Sequence, residues 1–320
     1  MTAPSGIWEH ALHSEPREQN GMCTDDNARG LILLLGVPEP SAQLRRMMKV
    51  YMRFIEDAAL PGGGFHNRRD AFGRWTDRIG SDDSQGRAIW ALGNVVGHAR
   101  EPALRRSALD LFDRQSFISP SPRANALAVL GAVEVLASVP EHPHASRLIR
   151  SWAGHIVVRE NPSWPWPETR LAYDNARLAE ALIGAGTALD DGPMTNDGLR
   201  MLDWLVGVET MDGHFSFAPV GGWAPGETRP GFDQQPVEAA AFADACARAW
   251  LATGDERWRE LVGVAARWFM GWNDLGVPMY DVETGASYDG LTPDGPNLNR
   301  GAESTISGLS TMQKAVLLEL

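Results

Sequence analysis

The sequence of 320 residues predicts an all-α fold, an (α/α)6 toroid in which six inner helices are surrounded by outer helices. Three observations predict this fold. A helix-like run of small and apolar residues begins six times just after a cluster of acids, amides and arginines. These runs recur at the length of a helical hairpin with its loops, and a more amphipathic run follows each of the first five. Repeats of this period determine the whole fold, so they take precedence over local signals.

The six polar clusters, which we call openings, each precede an apolar run. They are CTDDNAR from Cys23, SDDSQGR from Ser81, SPRANA from Ser121, LAYDNAR from Leu171, FDQQPVE from Phe232 and NRGAEST from Asn299. Between Asp25, Asp82, Asn125, Asp174, Glu238 and Glu303, the steps are 57, 43, 49, 64 and 65 residues. The first and fourth openings nearly coincide, since TDDNAR at 24–29 resembles AYDNAR at 172–177.

The six apolar runs are predicted to be the inner helices. They span residues 25–36, 82–98, 123–138, 171–186, 236–254 and 302–320. All are rich in alanine and leucine, and several have glycine at or near the end, as helices commonly do. Beyond their first turns they are nearly apolar on every side, which indicates burial.

The amphipathic runs are predicted to be outer helices with one solvated face. They span residues 41–59, 101–115, 144–158, 195–208 and 256–272. A short helix at 6–13 is predicted to take the sixth outer place. Glycine-containing segments at 62–75, 213–217 and 279–290 predict short β-hairpins before inner helices. We therefore predict one toroid domain over residues 1–320, with all six openings at one funnel mouth.

Composition excludes several classes of partner. Acids outnumber Lys and Arg by 41 to 29, and a net charge of −12 repels nucleic acid. The longest apolar run, 31–37, is too short to span a membrane, and the N-terminus has no signal-peptide core. We predict a cytoplasmic protein whose two cysteines, Cys23 and Cys246, are thiols. Of the twelve tryptophans, those in predicted loops either form a binding surface or fill the loops.

The residues of the openings and nearby loops suit a sugar, because carboxylates and amides bind hydroxyls and indole stacks on a pyranose face. The candidates for catalysis are Glu168, Asp25, Asp26, Asp83 and Asp174. The candidates for substrate binding are His66, Asp82, Gln85, Arg87, Asn125, Trp164, Trp166, Tyr173, Gln234, Gln235, Glu238, Tyr288, Asp289, Arg300 and Glu303.

Glycoside hydrolysis uses two carboxyl groups that flank the scissile bond, one of which must be protonated to act as an acid. Glu168 is the first candidate for the acid, because it follows the apolar sequence WPWP and burial among aromatics favours a neutral carboxyl. The base or nucleophile is Asp25, Asp26, Asp82, Asp83 or Asp174, and the repeat geometry leaves this choice open.

The structural alternative is that these acids cap helices. Thr24, Ser81 and Asp233 have the character of N-caps, and Glu238 and Glu303 lie near the third helical position, where a capping box has glutamate. A cap needs one acid, however, whereas TDDN and SDDS each carry two that repel each other. The set as a whole therefore predicts a ligand site.

Metal and cofactor sites are not expected. The histidine pairs at 10 and 13 and at 142 and 144 lie away from the openings, and neither aspartate pair continues as a DDxxD sequence. A sugar epimerase is disfavoured because no histidine lies in any opening to transfer a proton. We find no phosphate-binding glycine motif.

The openings also resemble a known family. CTDDNAR, SDDSQGRAIWALG, WPWPE followed by YDNARLAEALI, FDQQPVEAAA and NRGAEST together resemble a bacterial family of six-hairpin glycosidase type, over about residues 20–315. Its members occur alone or attached to sugar-nucleotide glycosyltransferases. The resemblance implies an (α/α)6 toroid that acts on carbohydrate, and a glycosyltransferase as partner. The chain departs from the family at Pro167, where an aromatic is usual, and at Arg300, where an amide is usual.

The resulting prediction is a glycoside hydrolase that cleaves an oligosaccharide with a pair of carboxylates, with inverting chemistry by analogy with the fold. The main alternative is a non-catalytic protein that binds sugar or a glycosyltransferase, followed by a polysaccharide lyase or a sugar epimerase. A carboxyl separation of about 5–5.5 Å indicates a retaining enzyme and about 6.5–9.5 Å an inverting one.

Overall fold

The computed structural model describes residues 1–320 and is mostly helical. The α-helices are α1 Thr24–Leu35, α2 Ala42–Ala58, α3 Asp82–His98, α4 Pro102–Phe112, α5 Pro122–Ser138, α6 Pro143–Ala153, α7 Ala176–Leu189, α8 Gly192–Glu209, α9 Pro236–Thr253, α10 Glu256–Phe269 and α11 Ala302–Leu317. All six predicted inner helices and all five predicted outer helices are present. No helix combines the length and the apolarity that crossing a bilayer requires.

Ten short strands form five two-stranded antiparallel ladders. They are β1 Thr2–Ala3 with β2 Gly6–Ile7, β3 Ala11–Leu12 with β4 Glu15–Pro16, β5 Met22–Cys23 with β6 Arg68–Arg69, β7 Thr210–Met211 with β8 His214–Phe215, and β9 Gly290–Thr292 with β10 Gly295–Asn297. The three predicted hairpin segments contain antiparallel pairs, including Arg69 with Trp75 and Tyr280 with Ser287.

The contacts divide the chain into two compact units. Unit 1 contains residues 1–155 and 188–190, and unit 2 contains residues 156–187 and 191–320. The single domain over 1–320 stays a prediction. In both units the alanine-rich helices form the core, because their side chains are buried on nearly every side, as in α5 and α9.

The predicted N-terminal helix at 6–13 is wrong. This segment contains β2 and β3, whose side chains Ile7 and Ala11 are buried. Gly6 has φ +147°, which a side chain rarely adopts, and an added Cβ would lie 2.7 Å from the ring of Phe54. The backbone at Gly6 therefore excludes a helix.

Helix α7 begins five residues later than predicted. Leu171 pairs with Trp223 in an isolated bridge, and Asp174 has a left-handed backbone with φ 50°. The part of the LAYDNAR opening at 172–175 is consequently a turn that precedes the helix, whereas Ala176 and Arg177 belong to the helix. This turn, residues 172–175, is called the 172–175 turn below.

The caps differ from prediction at two of three helices. Ser81 caps α3 as predicted, and its hydroxyl accepts from the Ser84 amide. The cap of α1 is Cys23 rather than Thr24, and its sulfur accepts from the Asp26 amide. The N-cap residue of α9 is Gln235 rather than Asp233, and its side chain makes no capping hydrogen bond.

Helices α3 and α5 of unit 1 touch backbone to backbone. A Cβ added at Gly93 would lie 2.0 Å from the Gly131 carbonyl oxygen, and one added at Gly131 would lie 2.3 Å from that of Ile89. Glycine at both positions allows the two helices to approach closely. The N-termini of α3 and α5 are thereby fixed relative to each other.

We expect Gly93→Ala to destabilise unit 1, because the helices must separate to admit the methyl group. The expected loss is about 3 kcal/mol or more in the free energy of unfolding, at the upper end for overpacked cores. Gly97→Ala, in the same helix, is the matched control, since its Cβ meets nothing closer than 3.6 Å. This control is expected to gain up to about 1 kcal/mol from helix propensity. Denaturant unfolding of both variants checks the contrast, and equal effects would contradict it.

Candidate functional site

Three carboxylates are partly exposed in the first turns of α1 and α3, within unit 1. They belong to Asp25, Asp82 and Asp83. Asp25 pairs with the buried guanidinium of Arg87, whose Nε lies 3.2 Å from Asp25 Oδ1. Asp82 accepts a hydrogen bond from the hydroxyl of Ser119. We call these three residues the unit 1 acid group.

The start of α1 is fixed by the segment that carries His66. The Thr24 amide donates to the carbonyl oxygen of Asn67 at 2.9 Å and to its side-chain oxygen at 3.0 Å. The Thr24 hydroxyl donates to the His66 carbonyl at 2.6 Å. These bonds place the His66 residue directly beside the first turn that carries Asp25.

His66 is held by its own partners. Its Nδ1 lies 2.9 Å from the Asp77 carbonyl oxygen and 3.3 Å from Asp77 Oδ1. Its ring stacks on Trp75, with centroids 5.2 Å apart. With Nδ1 engaged and the side chain partly exposed, Nε2 is the nitrogen that can exchange a proton with a ligand.

Three further candidates of unit 1 are buried and bonded to other groups of the protein. Asp26 accepts from Arg29 at 3.0 Å and from the Cys23 thiol at 3.2 Å. Gln85 bonds both backbone groups of Phe65, and Asn125 bonds both backbone groups of Ser119. Bonds within the protein therefore explain the position of these three side chains without a ligand.

One trio in unit 1 has ligand types that metals accept. Glu9, Cys23 and Asp26 have ligand atoms within 4.8 Å of one another. Protein partners account for all three, because Cys23 donates to Asp26 and Glu9 pairs with Arg68. Burial raises the pKa of the Cys23 thiol, and the charges of Asp26 and Asp25 raise it further. Metal binding needs the thiolate, so this environment does not favour a metal.

In unit 2, Glu238 holds the 172–175 turn. Its carboxylate accepts from the Asp174 amide, from the Asn175 amide at 3.1 Å and from Asn175 Nδ2 at 3.3 Å. Glu238 is only 1% exposed. The predicted capping-box role is thus replaced by a longer-range one, in which Glu238 of α9 binds the turn before α7.

Asp174 belongs to a buried ionic network centred on Arg177. The Arg177 guanidinium contacts Asp174 at 3.2 Å, Glu180 at 2.7 Å and Asp244 at 2.8 Å. Two more cations complete the network. Arg248 lies 3.3 Å from Glu180, and Lys314 lies 3.0 Å from Asp244. Asp174 is therefore paired and fully buried, whereas Asp25, Asp82 and Asp83 of unit 1 are partly exposed.

The loop tryptophans of unit 2 pack together. Trp164 meets Trp204 and Trp223 with ring centroids 5.0 and 5.5 Å away, and Trp166 lies 5.9 Å from Trp204. Trp164 and Trp166 are 5% and 0% exposed, so they fill the loop. Glu168, beside them, is partly exposed, and its carbonyl accepts from Trp164 Nε1 at 2.9 Å. Its role as acid stays a prediction.

The remaining candidates of unit 2 include both buried residues and partly exposed ones. Gln234 is buried and accepts from the Phe217 amide and from Trp268 Nε1, both at 3.1 Å. Asp289 accepts from the Gly301 amide at 2.6 Å. Arg300 pairs with Asp281 at 3.0 Å and lies over the Tyr288 ring. Partly exposed or exposed members are Gln235, Tyr288, Asp289, Arg300, Glu303 and Tyr173, the last 40% exposed.

The sequence analysis missed one residue of unit 2. Glu209, the last residue of α8, is 0% exposed, and neither carboxyl oxygen has a hydrogen-bond partner. It is an isolated glutamate at the end of an amphipathic run, and no local pattern distinguishes it from a solvated one.

Solved structures of known proteins share the fold of this chain. No protein-family profile and no curated protein matches the sequence. A sugar epimerase from a ruminal bacterium superposes with a TM-score of 0.77 and 14% identity, over 100% of this chain and 93% of that one. The cellobiose 2-epimerase of Bacillus thermoamylovorans B4167 superposes with a TM-score of 0.74 and 11% identity, over 100% of this chain and 93% of that one. The protein has the (α/α)6 toroid fold.

A hydrolase shares the fold as well. The α-1,6-mannanase GH76A of Salegentibacter sp. HEL1_6 superposes with a TM-score of 0.65 and 13% identity, over 99% of this chain and 94% of that one. That structure is an inactive variant in which two consecutive aspartates are replaced by alanine, in complex with α-1,6-mannotetraose. The predicted fold, with its short β-hairpins, is thus confirmed, whereas identities this low do not identify the reaction. The narrower bacterial family stays a prediction.

Proposed function

We propose that the protein is a glycoside hydrolase that cleaves an oligosaccharide with Asp82 and Asp83. The observation that carries the proposal is that these consecutive aspartates are both partly exposed in the first turn of α3. Neighbouring acids repel each other, and such a pair usually implies a ligand, an Arg partner or a catalytic role. The second pair does not have this character, because Asp26 is buried and bound to Arg29.

The α-1,6-mannanase with this fold supports the proposal. It is inactive when two consecutive aspartates are replaced. In glycoside hydrolysis one carboxylic acid protonates the leaving oxygen, while the other carboxylate attacks the sugar or activates water. Asp82, fixed by Ser119, and Asp83 supply these two groups. Asp25, held by Arg87, supplies a third carboxylate for a sugar hydroxyl.

A sugar epimerase or isomerase is the second candidate, and His66 favours it. The imidazole stands beside the first turn of α1 with Nδ1 engaged by Asp77, which suits a group that removes and returns a proton. Both epimerase structures described above superpose over 100% of this chain. The six openings themselves contain no histidine, so this candidate depends on the loop before α3.

One experiment separates the candidates. The wild-type protein is incubated in D₂O with α-1,6-mannotetraose, cellobiose and a wider oligosaccharide panel, and the products are analysed by chromatography and NMR. Shorter sugars with new reducing ends support the hydrolase. An epimerised sugar carrying deuterium on carbon contradicts it and supports the His66 candidate. Thermal stabilisation by a sugar without turnover contradicts both and indicates a binding protein.

A further inference from the structure

A cleft opens in unit 1 at the ends of α1 and α3 that lie away from the unit 1 acid group. It is lined by Leu35, the last residue of α1, and by His98, the last residue of α3. Helix α3 has 17 residues, and a helix rises about 1.5 Å per residue, so the cleft lies about 25 Å from Asp82 and Asp83. We call it the α2–α4 cleft, and it is separate from the proposed catalytic site.

The outer helices α2 and α4 form two sides of the cleft. Lys49 Nζ lies 3.2 Å from Glu101 Oε1, and further along both helices the Ser107 hydroxyl donates to Glu56 at 2.7 Å. The two helices therefore run side by side in the same direction. Both begin at the cleft, so the positive ends of their dipoles favour an anionic ligand there.

The third side is the segment that joins α1 to α2. Its prolines, Pro38 and Pro40, each have a fixed φ, which limits the conformations of this segment. Arg100 donates to the Pro38 carbonyl and Arg45 donates to the Pro40 carbonyl. The cleft is thus formed before any ligand binds, which reduces the ordering that binding requires.

The interior of the cleft is apolar and small. Its volume is about 60 Å³. One water molecule needs about 10–15 Å³ of cavity, so the cleft holds about four to six atoms, which is the size of one leucine side chain rather than of a sugar. Met48 has a flexible thioether that adapts to such a guest. The apolar lining consists of Leu35, Val37, Pro40, Met48, Ala99 and Leu104.

Cations predominate around this apolar interior. Residues 42–55 of α2 contain four cations and no acid, although acids outnumber Lys and Arg by 41 to 29 in the whole chain. Arg46 lies one turn before Lys49, and Arg105 lies one turn after Glu101, on the same faces of their helices. Both arginines are exposed and make no ion pair. They are therefore available to the carboxylates of a partner.

The acids at the rim are held weakly. Glu39 lies 3.8 Å from Arg100 and its side chain is 91% exposed, while Glu101 and its partner Lys49 are both about half exposed. Exposed pairs of this kind contribute little to stability. An incoming carboxylate can consequently replace either acid, and the surface is complementary to negative charge.

We propose that the α2–α4 cleft is a docking site for an acidic segment of a partner protein, which inserts one aliphatic side chain into the cavity while its carboxylates face Arg46 and Arg105. The cavity size selects a single side chain, and the charge of the rim selects an acidic sequence around it. A membrane surface fits less well, because no large apolar side chain of α2 or α4 is exposed for insertion into a bilayer.

The test measures binding of a fluorescein-labelled acidic peptide with two central leucines to the full chain, by fluorescence anisotropy. The same peptide with serine in place of both leucines is the control ligand. We expect the leucine peptide to bind at least about tenfold more tightly, because burial of one leucine contributes that much or more to affinity. In spectra of methyl-labelled protein, the Met48 signal should shift with the leucine peptide only, while that of the buried Met201 in unit 2 should not.

Charge reversal tests the rim. The double variant Arg46→Glu with Arg105→Glu should bind the leucine peptide at least about tenfold more weakly, and wild-type binding should weaken as salt is added. The matched control is Arg150→Glu, which reverses an exposed arginine of α6 in the same unit and should bind as the wild type does. Equal weakening in the control and the double variant would overturn the proposed location.

The comparison of the two peptides on the wild type decides even if the double variant does not fold. Equal affinities, or no measurable binding of the leucine peptide, would overturn the proposal. Vesicles of phosphatidylglycerol that bind the protein and are not displaced by the leucine peptide would assign this surface to a membrane instead. None of these measurements involves a sugar, so failure of the proposed hydrolase leaves them interpretable.

Discussion

Asparagine at position 82 or 83 is expected to reduce oligosaccharide hydrolysis by about 10³-fold or more while leaving the fold intact. Asparagine has nearly the shape of aspartate but can neither donate an acidic proton nor carry the negative charge that the reaction needs. At position 82 its amide oxygen can still accept the Ser119 hydroxyl. The initial rate and Tm of each variant are measured beside the wild type.

The matched control is Asp110→Asn, an exposed aspartate of α4 in the same unit. It should retain the wild-type rate. Glu168→Gln belongs in the same series, because Glu168 was predicted as the acid from its position after WPWP. Full turnover in both Asp82→Asn and Asp83→Asn would remove the pair from catalysis. If only Glu168→Gln were inactive, the assignment would return to the residue that the sequence first indicated.

A change of leaving group assigns the two roles. A nitrophenyl glycoside needs little proton donation, because its leaving group is already a weak base. The variant that lacks the acid should therefore recover most of its rate on this substrate, whereas the variant that lacks the nucleophile or base should not. Identical behaviour of the two variants would contradict a division into acid and base.

The helices could be predicted because their signals are local and redundant. Runs such as 82–98 are apolar on every side after one polar turn, and α3 has these very bounds. The helix predicted at 6–13 was wrong for the opposite reason. Strands of two residues have no period, and the decisive fact is the backbone of Gly6, held against Phe54 from a distant helix.

The site could be predicted only as a set of residues. The openings contain most of the candidate acids, and the partly exposed pair at 82 and 83 stands out in the sequence because a cap needs only one acid. Which acids are buried depends on partners elsewhere in the chain. Glu238 binds a turn more than 60 residues earlier, and its local pattern indicated only a capping box. Nothing in the sequence around Glu209 distinguishes it from a solvated glutamate, because what sets it apart is its complete burial in the folded chain.

The largest effect on stability is expected from Arg177→Leu. Arg177 is 4% exposed and bridges the buried carboxylates of Asp174 and Glu180 and the partly exposed carboxylate of Asp244, so its loss removes a cation that three acids share. Removing one partner of a buried ionic network costs about 3–5 kcal/mol, since the remaining charges stay buried without compensation. We expect Tm to fall by roughly 10 °C. The matched control, Arg200→Leu, breaks an exposed pair with Asp197 and should change stability by less than about 1 kcal/mol.

The pH dependence of this loss distinguishes missing charge from missing packing. In the wild type, burial disfavours the Asp244 carboxylate, but the charges of Lys314 and Arg177 outweigh burial and lower its pKa to about 2. Its stabilisation is therefore present above the ordinary aspartate pKa and is lost as the pH falls toward 2. In Arg177→Leu the carboxylates take up protons more readily, which relieves the buried charge. The Tm difference between variant and wild type should consequently narrow between pH 7 and pH 4. A difference that stays constant over this range would mean that Arg177 stabilises unit 2 by packing rather than by charge.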